Sequence, residues 1–255
     1  MNIYAINGSP RKNWNTATLL QKALDGAQAA NPSCHTEMIH LYDLNYTGCK
    51  SCFACKRLGA KTYGACAAKD DLAPVLEKLS RADGIIFGTP IYFGSMTGMM
   101  LAFLERLLFP YLVYDANFSS IAPKKMKTAF VYTMNLNEEA MKGLKYPERL
   151  GLMEQYLGGV FTPPQALYSC DTCQFDDYSK YKVECFSGEA KYRHRETQFP
   201  VDCDKAFALV SSQQKMKKRL EKLSRGLRQE NLYIFIHRFY RQTPYILRRK
   251  RQNIL

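Results

Sequence analysis

Four cysteines lie close together in one polar stretch of the chain, at Cys49, Cys52, Cys55 and Cys66. Gaps of two residues separate the first three, and such gaps let successive thiolates point at one centre, as in the ligation of a [4Fe–4S] cluster. Four thiolates also suit the tetrahedral coordination of a zinc ion. A loop that binds no metal is the third interpretation, and the spacing leaves all three open.

A short polar loop, residues 7–16, follows the first apolar run and precedes a predicted helix. Free backbone N–H groups and the positive end of the helix dipole form an anion site there. Arg11 or Lys12 adds positive charge, and Ser9 adds a hydroxyl group. Asn15 or Thr16 is expected to cap the helix. The loop matches neither the dinucleotide fingerprint nor the P-loop, so we predict a different phosphate site; an ordinary strand–turn–helix is the alternative.

A second loop, residues 88–98, follows a strongly apolar run. Pro90 and Gly94 allow sharp turns of the backbone. Tyr92 and Phe93 offer aromatic surfaces that can lie against a planar heterocycle, while backbone N–H groups bond to its polar edge. The alternative is that both rings pack at the rim of the core. Taken with the first loop, this one favours a single site for a phosphate group and a flat ring.

The elements that must position these loops alternate along the chain. Apolar runs and helical spacing predict strands at Asn2–Asn7, His35–Leu41, Asp83–Gly88, Lys127–Thr133 and Gln165–Ser169. They predict helices at Thr16–Ala30, Asp70–Ser80, Thr97–Leu108 and Glu138–Leu157. This order indicates an α/β fold, a doubly wound five-stranded parallel sheet with helices on both faces. Residues 170–200 are expected to be irregular, and residues 203–228 to form a further amphipathic helix.

Ligands of such sheets bind beyond the carboxyl ends of the strands. Residues 8–16, 90–97 and 133–137 all follow predicted strands. We therefore expect these three loops to converge on one edge of the sheet and to form one site.

Charge is distributed unevenly along the 255 residues, whose net charge is +13. Residues 1–214 carry 23 Lys and Arg against 21 Asp and Glu, whereas residues 215–255 carry 13 against two. A basic tail of this kind suits nucleic acid, anionic lipid or a protein partner. A solvated helix face is the favoured interpretation, so nucleic acid is not an expected partner. Packing of the tail aromatics on a second copy of the chain is a further alternative.

Composition also bounds the location of the protein. Apolar residues make up 46% of the chain, enough for a full core, but no stretch approaches the roughly 20 apolar residues of a transmembrane segment. The chain begins directly with a predicted strand, so no signal peptide is expected. Nine cysteines without an export signal favour a reducing compartment. We therefore expect a cytoplasmic protein.

Several of these motifs, taken together, carry a resemblance to a known family. They are Gly8-Ser9-Pro10-Arg11-Lys12-Asn13 with Asn15-Thr16, the Cys49/Cys52/Cys55 cluster, Lys69-Asp70-Asp71-Leu72 and Thr89-Pro90-Ile91-Tyr92-Phe93-Gly94-Ser95. In this order they resemble the flavodoxin-like NADPH-dependent FMN reductase family, in its iron–sulfur flavoprotein branch. The resemblance covers about residues 1–170, the predicted FMN-binding domain, and leaves residues 171–255 as an extension.

The resemblance implies a flavodoxin-like fold, bound FMN, and usually dimers. By position, the FMN phosphate would be held by Ser9, Arg11, Asn15 and Thr16. The flavin ring would be lined by Pro90, Ile91, Tyr92, Phe93 and Gly94. Two features depart from the family pattern: Trp14 stands where glycine is common, and the spacing from Cys55 to Cys66 is longer than usual.

The resemblance also implies a function. We expect an FMN-dependent oxidoreductase that accepts hydride from NAD(P)H as a transient donor, or electrons from a ferredoxin-like carrier. A small acceptor such as a quinone or free flavin would receive them, and no dedicated catalytic side chain is needed. A [4Fe–4S] cluster, if bound, would relay single electrons. The alternative is a non-enzymatic flavodoxin-type or iron–sulfur flavoprotein carrier that docks a redox partner.

Overall fold

A computed structural model describes residues 1–209 of the chain; the part of the predicted C-terminal helix and basic tail beyond residue 209 lies outside the described residues. Its strands are β1 (Asn2–Asn7), β2 (His35–His40), β3 (Gly84–Tyr92), β4 (Ser95–Met96), β5 (Lys127–Thr133) and β6 (Gln165–Ser169). Its helices are α1 (Asn15–Ala30), α2 (Leu72–Ser80), α3 (Gly98–Leu108), α4 (Glu138–Gly143), α5 (Tyr146–Val160) and α6 (Gly188–Thr197). Residues 199–209 are also helical.

Five strands form a parallel sheet in the order β2-β1-β3-β5-β6. This is the strand order of flavodoxin-like folds, and the predicted fold class is confirmed. The two-residue strand β4, which the sequence did not predict, pairs antiparallel with the end of β3. None of the helices within residues 1–209 has the length and apolar character needed to cross a membrane.

Alternating residues of the central strands build two cores, one on each face of the sheet. On one face, Ile6, Phe87 and Phe130 pack against helices α2, α3 and α5. On the other, Ala5 and Val131 pack against α1 and against residues 199–209. Within residues 1–209 helices cover both faces of the sheet, so a ligand of the sheet is expected beyond the carboxyl ends of its strands.

Strand β3 is longer than predicted, because it continues through Pro90 to Tyr92. The sequence suggests an end near Pro90, since proline has no N–H for a ladder. In the structure β1 has already ended at Asn7, opposite Gly88. Beyond Gly88, β3 therefore has no partner residue in β1. Pro90 can lie there because no backbone hydrogen bond to β1 requires its N–H. Pro90 keeps its place opposite Thr133 of β5.

Two helical predictions also need correction. The single predicted helix from Glu138 to Leu157 is broken into α4 and α5 at Lys145, which takes a left-handed backbone (φ +56°). Pro147 explains the break, because proline cannot donate the helical hydrogen bond and is favoured in the first turn. The segment expected to be irregular contains α6, and residues 171–209 belong to the same compact unit as the sheet.

Candidate active site

A cleft of about 310 Å³ opens beyond the carboxyl ends of β1, β3, β5 and β6. It is lined by eight of the nine residues predicted to bind a cofactor: Ser9, Arg11, Asn15, Thr16, Pro90, Ile91, Tyr92 and Phe93. The remaining lining residues are Trp14, Thr133, Met134, Asn135, Thr172, Cys173 and Gln174. The three loops expected to converge therefore do meet, and a fourth, which follows β6, joins them.

The first loop is ordered by its own hydrogen bonds. The Ser9 N–H donates to Asn7 Oδ1 at 3.0 Å, and the Arg11 N–H donates to Ser9 Oγ at 3.2 Å. The Gly8 N–H donates to the carbonyl oxygen of Gly88 at 2.8 Å, which ties the loop to the neighbouring strand. The backbone is thus arranged before any ligand arrives.

Helix α1 begins differently from the sequence prediction, because its N-cap is Trp14 and neither Asn15 nor Thr16 caps it. Asn15 instead donates from Nδ2 to the carbonyl oxygen of Cys173 at 2.8 Å. The hydroxyls of Thr16 and Thr133 lie 2.7 Å apart, both buried. Within the described residues the first turn of α1 has no side-chain cap and no acidic residue. Its backbone N–H groups are therefore available to an anion.

Two guanidinium groups approach the ring system of Trp14. Arg11 stands 5.5 Å from the centre of its ring system and Arg195, from α6, stands 4.8 Å from it. The indole N–H donates to the carbonyl oxygen of Cys173 at 3.0 Å, and the Arg11 guanidinium donates to the carbonyl oxygen of Gln174. Trp14 thus attaches residues 7–16, the predicted phosphate loop, to residues 172–174. These three residues follow β6 and form the fourth wall of the cleft.

The second loop is a tight hairpin between β3 and β4, in which Tyr92 pairs with Ser95. Phe93 (φ +52°) and Gly94 (φ +77°) both take the left-handed backbone that two-residue hairpin turns require. Glycine adopts it freely, whereas Phe93 is strained. The Phe93 ring is fully exposed and Tyr92 is half-exposed, so neither packs in the core. Gly94 forms the turn and does not line the cleft.

Asn135 and Lys191 show features of the cleft that the sequence did not indicate. Asn135 Oδ1 is buried and, in the part of the chain described, has no hydrogen-bond partner. The Lys191 ammonium is almost completely buried, donates to the carbonyl oxygen of Asn135 at 2.5 Å and pairs with Asp171. A lysine in a polar segment gives no sequence signal of burial. The contacts of Lys191 with Asn135 and Asp171 are therefore evident only from the tertiary structure.

The four cysteines line a second cavity, of about 470 Å³. Cys49 and Cys52 are exposed, whereas Cys55 is buried. Burial raises the pKa of the Cys55 thiol, and this effect outweighs that of the nearby Lys56 ammonium, which lowers it. The Gly64 N–H donates to the carbonyl oxygen of Cys55 at 2.9 Å, which folds the chain back before Cys66.

Two adjacent residues of α3 hold this cavity. The Cys49 N–H donates to Glu105 Oε2 at 2.9 Å, and Arg106 donates from Nε to Cys66 Sγ at 3.3 Å. Arg106 also forms a bidentate ion pair with Asp70, at 2.5 and 2.9 Å. Its guanidinium keeps the pKa of the Asp70 carboxyl below its usual range. The available sequence signal was the charged pair Glu105-Arg106 inside the otherwise apolar α3.

The metal prediction is not confirmed by this arrangement. Within residues 1–209, no group of three or more His, Cys, Asp or Glu side chains is arranged to hold a metal ion. A single zinc ion therefore has no preformed site there. The four sulfur ligands of a [4Fe–4S] cluster lie further from one another than the ligands of a single metal ion, because each sulfur binds a different iron. A cavity lined by all four cysteines is therefore compatible with a cluster.

Comparison with known proteins decides the family. The family model for NADPH-dependent FMN reductases matches residues 1–130. The chain belongs to this family. As a family member it is 41% identical over 106 residues to an iron–sulfur flavoprotein of Archaeoglobus fulgidus, covering 42% of this chain and 48% of the relative. An iron–sulfur flavoprotein of Methanocaldococcus jannaschii is 36% identical over 106 residues, with coverage of 42% and 51%. The chain thus spans about half the length of these curated relatives.

Solved structures of low identity share the fold of this FMN reductase family member. The NAD(P)H:quinone oxidoreductase of Methanothermobacter marburgensis superposes with a TM-score of 0.58 at 14% identity, covering 83% of this chain and 96% of the other. An azoreductase of Bacillus anthracis gives 0.57 at 13% identity, with coverage of 83% and 99%.

The cleft of this family member fits FMN on its own chemistry. The loop predicted to hold the phosphate offers the free N–H groups of α1, Ser9 and the guanidinium of Arg11. Further along, the buried oxygen of Asn135 lacks a donor among the described residues, and FMN carries both ribityl hydroxyls and a ring N–H. A buried acceptor without a donor raises the free energy of the folded state. A ligand that donates a hydrogen bond to Asn135 Oδ1 would therefore stabilise the protein.

Proposed function

We propose that this protein is an FMN-dependent oxidoreductase that takes hydride from NAD(P)H and reduces a small acceptor such as a quinone or free flavin. The observation that carries the proposal is the single cleft in which the phosphate loop and the aromatic hairpin face a common space. Its volume and its mixed polar and aromatic lining are typical of a cofactor site. Membership of the family supports the same conclusion.

The chain's own residues would divide the work by position. At the phosphate end, Arg11 and the first N–H groups of α1 neutralise the phosphate charge. At the other end, Tyr92 and Phe93 provide an aromatic wall beside the open mouth of the cleft. Burial raises the pKa of the Tyr92 hydroxyl, which therefore stays protonated and able to donate. Bound FMN would supply the hydride chemistry itself.

We propose further that the cysteine cavity holds a [4Fe–4S] cluster, fed by a ferredoxin-like carrier. All four cysteines line one cavity. Ser51 and Phe53, between the first three cysteines, both take left-handed backbones. Left-handed residues of this kind build the N–H nests found at many Fe–S sites. The iron–sulfur relatives support the assignment. In this form the protein would also serve as a one-electron carrier, the second candidate function.

One preparation tests these proposals. The protein is purified without oxygen, and its visible spectrum is recorded before and after dithionite, followed by NAD(P)H consumption with and without a quinone. We expect two flavin bands, a broad shoulder that also bleaches, and turnover that depends on the quinone. Flavin without quinone-dependent turnover would favour the carrier. A colourless protein that does not take up added FMN would contradict both functions.

We also propose that the protein acts as a homodimer or a higher homo-oligomer. The exposed Phe93 at the mouth of the cleft is an aromatic surface that a second copy could cover. Light scattering coupled to size-exclusion chromatography measures the mass directly. A mass of one chain, with FMN bound, would contradict this proposal without affecting the proposed reaction.

A further inference from the structure

Arg106 is the most completely buried charged side chain near the cysteine cavity, with only 1% of its side chain exposed. Every N–H-bearing nitrogen of its guanidinium has an acceptor. Nη1 donates to Asp70 Oδ2 at 2.5 Å and to the carbonyl oxygen of Thr47 at 3.1 Å, and Nη2 donates to Asp70 Oδ1 at 2.9 Å. The remaining nitrogen, Nε, donates to Cys66 Sγ at 3.3 Å.

Cys66 needs such an anchor more than the other three cysteines do. Cys49, Cys52 and Cys55 are held by their short spacing, whereas ten residues separate Cys55 from Cys66. The intervening segment turns back through the bond from Gly64 to Cys55 and one from Thr62 Oγ1 to the Ala54 carbonyl oxygen, at 3.0 Å. Neither bond involves the sulfur of Cys66. In the described structure, the side-chain bond that fixes this sulfur comes from Arg106.

Asp70 makes the guanidinium rigid. A bidentate arginine–carboxylate pair fixes the plane of the guanidinium, and Asp70 is itself held because its Oδ1 accepts the Leu72 N–H at 3.2 Å, at the start of α2. Arg106 therefore connects α2, α3 and the cysteine segment, and it presents one N–H to one sulfur in a defined direction.

We propose that Arg106 is the positioning residue for a fourth cluster ligand, holding Cys66 and donating a hydrogen bond to its ligating sulfur. This inference depends on the [4Fe–4S] cluster in the proposed function. Hydrogen bonds to sulfur ligands stabilise the more negative, reduced cluster and so raise its reduction potential. Arg106 has a second effect through geometry, because it brings a distant cysteine to the same cavity as the compact motif.

The test compares the wild type with Arg106→Lys, which keeps the charge beside Asp70 and loses the N–H that faces Cys66. Arg81→Lys is the matched control, since Arg81 is exposed, pairs with Glu77 and lines neither cavity. After anaerobic reconstitution with iron and sulfide, iron content and the potentials of flavin and cluster are measured by redox titration. If Arg106→Lys does not fold, the double variant Arg106→Gln/Asp70→Asn, which removes both charges of the ion pair, is measured in its place.

We expect Arg106→Lys to shift the cluster potential to a more negative value and to lower the iron content. Its flavin potential should match that of the wild type. Arg81→Lys should match the wild type in both potentials and in iron content. Wild-type cluster potential and iron content in both Arg106 variants would overturn the inference and leave the proposed function standing. Wild-type protein that binds FMN but no iron would overturn the inference and the cluster, and not the flavin chemistry.

A measurement on the wild type alone covers the case in which neither variant folds. Resonance Raman spectra of protein prepared in H₂O and in D₂O report hydrogen bonds to the cluster sulfurs. A shift of the iron–sulfur stretching bands on deuteration is the expected result, since an exchangeable N–H then donates to a cluster sulfur, and identical spectra would overturn the bond from Arg106.

Discussion

The indole N–H of Trp14 donates to the carbonyl oxygen of Cys173 at 3.0 Å, across 159 residues of chain. The same carbonyl accepts Asn15 Nδ2 at 2.8 Å. Two donors from the phosphate loop thus meet one acceptor in the segment that follows β6. The shape of the cleft therefore depends on a part of the chain that lies outside the motifs of the family.

Removal of this N–H should loosen the phosphate loop. Trp14→Phe keeps an aromatic ring near Arg11 and Arg195. It loses the hydrogen bond to Cys173, which contributes about 1 kcal/mol. We expect FMN to bind about fivefold more weakly, which a fluorescence titration of the apoprotein measures. Unchanged affinity would show that the loop keeps its geometry without this bond.

Loss of the Arg11 guanidinium should weaken FMN and spare riboflavin. Charged hydrogen bonds contribute about 1.5–3 kcal/mol, so we expect Arg11→Gln to reduce FMN affinity by on the order of tenfold or more. Riboflavin lacks the phosphate and serves as the matched ligand, with the affinity expected to stay within about twofold. Calorimetric titration of both ligands checks the prediction. An equal loss for both would place Arg11 at the ring and not at the phosphate.

Because the backbone of Phe93 is strained, replacing this residue should stabilise the protein, but it should also lower activity towards the quinone. Asparagine tolerates the left-handed backbone, so Phe93→Asn should raise the free energy of unfolding by about 1 kcal/mol and lower kcat/KM for the quinone. Phe118→Asn is the control, because Phe118 is also exposed and left-handed (φ +46°) and does not line the cleft. We expect it to gain stability with no change in kcat/KM. Urea unfolding and steady-state assays measure both, and equal activities in the two variants would contradict the role of Phe93.

Glu154 predicts a stability that depends on pH. Burial raises the pKa of its carboxyl, although hydroxyls of Tyr132 and Tyr168 donate to it. The folded state therefore holds this proton more tightly than the unfolded state. Stability should fall as pH rises from about 4.5, the ordinary value, through the raised folded-state pKa, by up to about 1.4 kcal/mol per pH unit.

The comparison uses Glu154→Gln, which keeps an acceptor for the two hydroxyls and cannot ionise. Urea unfolding across this pH range should show a smaller fall than in the wild type. Glu148→Gln removes an exposed carboxylate of the same helix and should keep the wild-type slope. A slope unchanged in Glu154→Gln would assign the pH dependence to other groups.

Lys191 should be a major contributor to the stability of the fourth wall. Lys191→Met removes the buried ammonium and leaves Asp171 with His194, 3.5 Å away, as its remaining ion-pair partner among the described residues. We expect the free energy of unfolding to fall by about 3 kcal/mol. The double variant with Asp171→Asn also removes the carboxylate charge and should recover part of that loss. Urea unfolding of the two variants checks the order, and a double variant no more stable than the single one would contradict the ion-pair explanation.

The sequence by itself determined the sheet and the place of the site. The bounds of β1 and β5 follow from short apolar runs that end in polar or turn residues, because burial on both faces demands such runs. The bounds of the edge strand β6 were also predicted. Convergence of the three loops follows from the parallel arrangement, which brings all carboxyl ends to one edge. Phosphate-type and aromatic composition then indicated the ligand class.

Only the tertiary structure decided how the site is completed. The bond from Trp14 to Cys173, the buried Lys191 and the approach of Arg106 to Cys66 join residues far apart in the chain. Periodicity records whether a residue is buried and not which distant partner it meets. The position of Pro90 within β3 depends in the same way on where β1 ends. Local pattern therefore specified the scaffold, and packing specified the partners.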